Sequence, residues 1–214
     1  MNEHLLIDGV VMAGRPRGVE DSVILRAAAD LIGRVGPVGL TLAVVAREVG
    51  LVPGTLVQRF GSKRGLLLAL AAQSAKDAHA RPGRERKRHE RALEALAELI
   101  VEPMASMATP ETFANHLAFL CIDLTDPDFR RHALSIHRAQ GRAIEDLLKE
   151  ALLAGELRTG TDAAALAASV QAIASGAGLT WALDRRGTLG QRLRQELDNL
   201  LSPHRPSRHD LEDS

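Results

Sequence analysis

From Val23 the apolar residues fall at Val23, Ile24, Ala27, Ala28, Leu31, Ile32 and Val35, the spacing of about 3.6 residues that gathers them on one side of an α-helix. Comparable stripes recur along the chain, each closed by glycine, proline or a capping hydroxyl, and nothing alternates with the period of a strand. Composition points the same way. Aromatic residues make up only 2% of the 214 residues, with no Tyr, while Ala, Leu and Arg abound, so a sheet would lack the side chains that usually fill it. The expected fold is all-α. With 45% hydrophobic and 25% charged residues, a chain of this length can bury a core without covalent staples.

Gly36-Pro37 should end the first helix. Thr41 can cap a second, carrying Leu42, Val45, Ala46 and Val49 to Gly50, and Pro53 suits the first turn of a third, from which Leu56 and Phe60 face inward. Gly61 stops that helix and Ser62 caps a fourth, which presents Leu66, Leu67, Leu70 and Ala71 and runs to a break at Arg81-Pro82-Gly83. The charge-dense stretch Arg84 to Arg91 reads as a solvated helix start. Further helices are expected at about 86–107, 111–124, 127–154, 162–183 and 188–201. The implied organisation is a flexible basic arm over 1–18, a helix-turn-helix domain over 19–65, a helical bundle over 66–202 and a disordered tail over 203–214. Met12 stands just before Arg15-Pro16-Arg17, so the first eleven residues can be a leader with no role of their own.

Thr41 to Phe60 has the residues that a helix-turn-helix requires. Ala46 sits where the two helices cross and only a small side chain permits close approach, Gly50 can take a positive φ in the turn, and Val45, Val49, Leu51 and Leu56 supply a shared core. Charge is distributed to match: residues 1–90 hold 14 Lys/Arg against 9 Asp/Glu, and residues 91–214 hold 13 against 18, giving +5 and −5 within a neutral whole. A basic N-terminal part suits a nucleic-acid contact. Gly-Arg-Pro-Arg ahead of an amphipathic helix, then Gly50-Leu-Val-Pro-Gly-Thr-Leu-Val-Gln-Arg-Phe60-Gly-Ser-Lys63-Arg-Gly-Leu66, resembles the signature of the TetR family of transcriptional regulators.

That resemblance implies a recognition helix whose first residues meet base edges in the major groove. Here these are Val52, Pro53, Gly54, Thr55 and Gln58. Gln58 can read adenine bidentately, and Arg59 can read guanine or clamp a phosphate. Thr41, Thr55 and Lys63 are placed for phosphates by the resemblance and by their positions at helix starts. Arg15 and Arg17 suit an adjacent minor groove. Two positions depart from the family pattern: Val57 stands where a Tyr is usual and Val52 where a Ser is frequent. Each loses a hydrogen-bonding group, and Val57 offers apolar contact to a thymine methyl instead.

The resemblance further implies a homodimer on a palindromic operator and a C-terminal domain that binds a small-molecule effector. The expected interface lies in the last two helices, at Ser175, Gly178, Leu179, Leu189, Leu193, Leu197 and Leu200. Candidate cavity residues are Met104, Met107, Phe113, His116, Phe119, Leu120, Cys121, Ile136, His137 and Trp181, because ligand sites are mostly apolar with a few orienting polar groups. The expected effector is small and apolar.

His116, Cys121 and His137 lack any recognised metal-ligand spacing, and G-x-S-x-G, P-loop and G-x-G-x-x-G motifs are absent from the sequence. The expectation is no metal, no cofactor and no enzyme. Lone Cys121 cannot form an intramolecular disulfide, Leu5 to Met12 lacks the length and basic flank of a signal peptide, and no run is read as approaching the ~18 apolar residues of a membrane span. A cytoplasmic protein without a membrane partner is expected. Two function classes follow: a ligand-responsive repressor, or a helical small-molecule-binding or interaction module without sequence-specific DNA binding.

Overall fold

The structure is a computed structural model that describes residues 18–206. Arg15 and Arg17 lie outside the described residues, as does 207–214. Among the described residues all regular structure is helical: α1 (Asp21–Gly39), α2 (Leu42–Glu48), α3 (Pro53–Phe60), α4 (Lys63–Arg88), α5 (Ala92–Val101), α6 (Pro110–Thr125), α7 (Pro127–Leu153), α8 (Ala163–Asp184) and α9 (Leu189–Leu201). Short 3-10 turns at Glu102–Met104 and Ser202–His204 follow α5 and α9.

Two cores organise these helices. The first joins α1 to α4 through Ile24, Leu40, Val45, Leu56 and Leu66, all fully buried, and receives Phe129 from α7. The second joins α5, α7, α8 and α9 around Leu96, Leu148 and Leu193. Each such side chain contributes about 1.5–3 kcal/mol relative to leaving it in water. α4 serves both halves, since Leu66 to Ala71 belong to the first core while the helix continues to Arg88. The first core therefore extends past the boundary expected after residue 65.

The first helix ends as its sequence suggests. Gly36 adopts φ +68° and ψ 170°, which interrupts α1 before a last turn begun by Pro37. The break expected at Arg81-Pro82-Gly83 does not occur, because α4 runs through Pro82. Proline removes one helical hydrogen bond, but buried Ala75, Ala78 and Glu85 hold the helix against the body on both sides of it. α5 consequently begins at Ala92 rather than near 86. Its free N–H groups at Ala92 and Leu93 are bonded by the Glu156 carboxylate at 2.8 and 3.4 Å, a cap from just beyond α7 that no local signal announces. The chain also stays ordered beyond Pro203: Arg158 donates its main-chain N–H to the His204 carbonyl (2.7 Å) and its guanidinium to that of Pro203 (2.8 Å).

Two expectations about the last helices change. Leu189, Leu193 and Leu197 are buried in the protomer's own core and Leu200 packs against it, so the α9 leucine stripe faces inward and is not available to a partner. α8 is long and apolar enough to cross a membrane, with a third of its most apolar window buried (33%), contrary to the expectation that no run approaches a span. Composition explains the second observation. Asp184 is the only charged residue of α8, and the helix is apolar all round with one side packed in the core and the other, including Ala168, Ala172, Gly176 and Leu179, turned outward.

Candidate functional site

The reading surface is built from two hydroxyl caps and a tight turn. Thr41 Oγ1 accepts the Val44 N–H (3.2 Å) and starts α2. Gly50, at φ +67°, reverses the chain after α2, and the Leu51 N–H reaches back to the Ala46 carbonyl at 2.8 Å. Pro53 then opens α3, where its missing N–H has no helical partner in any case. Gly61 ends α3 at φ +74°, and Ser62 Oγ accepts the Gly65 N–H (3.1 Å) to start α4. Gly65 is obligatory at this corner: a Cβ there would stand 2.0 Å from the Phe60 carbonyl oxygen. The sequence motif contains Gly65, but its spacing alone supplies no reason for it.

With Leu56 buried, α3 turns Val52, Pro53, Gly54, Val57 and Gln58 outward, and Thr55 is half-buried. Val52 is 67% exposed and Val57 50%, so neither valine belongs to the core. Two of the expected cations are engaged within the fold. Arg59 donates to the Val19 carbonyl and to Asp21 (3.1 Å), tying the end of α3 to the start of α1. Lys63 donates to the Pro37 carbonyl at 2.5 Å, tying α4 to the end of α1. An ammonium has three protons, so Lys63 keeps others for a phosphate.

A second site lies in the other half: a cavity of about 300 Å³ enclosed by α5, the segment after it, α6, α7 and α8. Met104, Met107, Phe113, His116, Phe119, Leu120 and His137 line it as expected. Three expected residues do not. Cys121 is exposed; Ile136 sits off the wall; and Trp181 is buried behind Phe113, edge-to-face at 6.3 Å, with its indole N–H donated to the Gly187 carbonyl (3.1 Å). Two residues assigned to dimerisation belong to this region as well. Ser175 lines the cavity, and Gly178 is where Phe113 packs, for a Cβ there would lie 2.4 Å from the ring.

The cavity also holds Asp123, Gln140 and Gln171, which sequence reasoning missed. Helical spacing could have found the first, because Phe113, His116, Leu120 and Asp123 share one face of α6. Gln171 donates its side-chain amide to the His137 carbonyl at 2.8 Å. Burial drives both titratable groups of α6 in this wall toward their neutral forms. His116 lies below the usual histidine range despite the opposing pull of Asp30, and Asp123 is pushed up to about 6. One Asp123 oxygen, Oδ1, is out of solvent and has no hydrogen-bond partner among the described residues.

Residues 24–70, which contain α2, α3 and the turn between them, match the profile of "Bacterial regulatory proteins, tetR family". Residues 24–70 therefore carry the helix-turn-helix DNA-binding domain of tetR-family regulatory proteins. Solved structures of the same fold include a putative transcriptional regulator from Saccharomonospora viridis in complex with choline, 23% identical, with a TM-score of 0.70 over 88% of this chain and 98% of that one. A TetR-family regulator from Agrobacterium tumefaciens is 21% identical, with a TM-score of 0.68 over 87% and 97%. FadR from Bacillus subtilis in complex with stearoyl-CoA is 20% identical, with a TM-score of 0.62 over 86% and 98%. Sequence comparison with curated proteins gives no match.

In this chain the reading head and the cavity share a wall. α6 lines the cavity and also grips α1, with His116 serving both: Asn115 donates to the Gly33 carbonyl at 2.8 Å, and a Cβ on Gly33 would lie 2.9 Å from His116 Nε2. Phe119 lines the cavity and also meets Phe129 edge-to-face at 6.2 Å, against the first core. Arg64, on the first turn of α4, bridges Asp126 and Asp128 at 2.9 Å and lies 5.5 Å over the Phe129 ring. Sequence reasoning assigned none of Asn115, Arg64 or Phe129 a role. The partners of the two polar links lie 62 to 82 residues away, beyond any periodicity.

Proposed function

We propose that this regulator is a cytoplasmic homodimeric repressor that reads a palindromic operator with α3 and releases it when a small molecule enters the cavity. The observation that carries the proposal is α6, one helix that forms a cavity wall and a contact surface for α1. A ligand that moves α6 changes what α1 rests on. By mass action it shifts the dimer toward a state whose reading heads have the wrong separation. Reversing occupancy from about 99:1 to 1:99 needs a preference of about 5.5 kcal/mol for the released state, so partial induction is a natural outcome.

On the DNA, Gln58 reads adenine, Val52 and Val57 contact thymine methyls, and Pro53, Gly54 and Thr55 approach the base edges. Thr41 and Lys63 hold phosphates and set the register. Arg59 orders the start of α1 and reaches DNA only by leaving Asp21. Arg15 and Arg17 enter the neighbouring minor groove.

The dimer forms through α8, whose outward side carries small and apolar residues and no charge before Asp184. A helix apolar all round belongs in an interior, and a second copy supplies one for this side. Choline and stearoyl-CoA in proteins of the same fold are chemically unlike, so the effector has to be inferred from the lining of this cavity, which favours a largely apolar body.

Selection of bound duplexes from a random library at about 0.15 M salt tests the proposal. Enrichment of a palindrome with half-sites ~34–36 Å apart is expected. Recovery of no preferred sequence would leave a ligand-binding module without specific DNA recognition.

A further inference from the structure

We propose that the effector carries a protonated nitrogen on its apolar body and that the Asp123 carboxylate in the cavity wall is its counter-charge. The inference deepens the reading of this cavity as the effector site and rests on it. Among the described residues Asp123 is the only one with a formal negative charge in the lining, and no Lys or Arg joins it there. The other polar groups are His116, His137, Gln140, Gln171 and Ser175. Burial keeps His116 toward its neutral form, while Gln171 is occupied with the His137 main chain and Ser175 donates to the Gln171 carbonyl at 2.9 Å.

A ligand carboxylate or phosphate would meet no Lys or Arg in this wall and would face a like charge. A purely apolar ligand would seal Asp123 away from water without a partner. Buried polar oxygens in native proteins nearly always have a hydrogen-bond partner, yet Asp123 Oδ1 has none among the described residues and is out of solvent. An ammonium or amidinium satisfies it twice, by charge and by an N–H···O bond, and a charge-assisted bond of this kind is about twice as strong as a neutral one. The flexible thioethers of Met104 and Met107 and the ring of Phe113 accept an alkyl or aryl body of varied shape.

The test uses three probes with the same chain and different heads, decylamine, 1-decanol and decanoate, titrated calorimetrically into the full chain at pH 7.5 below their aggregation limits. Decylamine should bind about tenfold more tightly than 1-decanol, with decanoate weakest. Asp123→Asn should reduce the amine advantage to about threefold or less and leave 1-decanol affinity within about threefold. Equal affinity for amine and alcohol, or an amine advantage that survives Asp123→Asn, overturns the proposal while leaving the cavity as an effector site. Binding of none of the three overturns the effector-site reading itself.

Discussion

Asn115 donates its side-chain amide to the main-chain carbonyl of Gly33 across 2.8 Å, joining the helix that walls the cavity to the first helix of the reading head. The carbonyl lies in a buried stretch of α1, where an unsatisfied acceptor is costly. Asn115→Ala removes the donor and leaves that acceptor without its side-chain partner, so chemical denaturation should show a loss of about 1–2 kcal/mol. The same variant should weaken release of the operator by effector more than it weakens operator binding. Equal losses in the two would mean that the bond supports the fold without linking the sites.

Gly33 tests the same contact from the other side. Its missing side chain admits His116 and Thr112, each 2.9 Å from where a Cβ would be. Gly33→Ala removes a helix-interior glycine, which alone would favour α1 by roughly 0.5–1 kcal/mol, but it presses on the His116 ring and the Thr112 methyl, which must give way. The clash should outweigh the gain, giving a net loss of about 1 kcal/mol. A variant more stable than the parent protein would show that α6 yields freely.

Gln58 and Arg59 are neighbours with different expected phenotypes. Gln58 is exposed on α3 and makes no side-chain hydrogen bond among the described residues, whereas Arg59 is tied to Val19 and Asp21. Gln58→Ala should leave the melting temperature unchanged and cost about 1–3 kcal/mol of discrimination at one base pair. Arg59→Ala should lower binding to all sequences by a similar factor, because it loosens the start of α1. Titration of both variants against the selected operator and a scrambled duplex separates the two.

The helices and the reading head are legible because their signals are local. Gly36, Thr41, Gly50, Pro53, Gly61 and Ser62 act within a few residues of where they stand, and each interrupts, ends or starts a helix in the structure. What escapes the sequence is set by distant partners. Glu156 caps α5 from beyond the end of α7, the buried face of α4 holds that helix together through Pro82, and the α9 leucines look identical whether they meet their own core or a second copy. Asp123 is legible by its spacing on α6, but a carboxyl is an uncommon group in an apolar wall, and nothing local marks it as one.

That carboxyl gives the protein a distinctive pH dependence. Burial raises Asp123 from 3.8 to about 6, so the folded state holds its proton more tightly than the unfolded chain does. The stabilising effect of the protonated acid is complete below about 3.8 and is lost as pH rises through about 6. Asp126 acts in the opposite sense: the Arg64 guanidinium holds its carboxyl below the usual range, so its contribution is present above the unfolded value and vanishes only as the medium becomes strongly acidic. Comparing the Asp123→Asn variant with the parent protein cancels the Asp126 contribution. The difference in stability should grow in favour of the variant between about pH 4 and 7 and stay flat above that range. Its size should be on the order of 1 kcal/mol, because the half-buried side chain is partly screened by solvent. A difference independent of pH would mean that Asp123 ionises as it does in water, and would remove the electrostatic basis for a cationic effector.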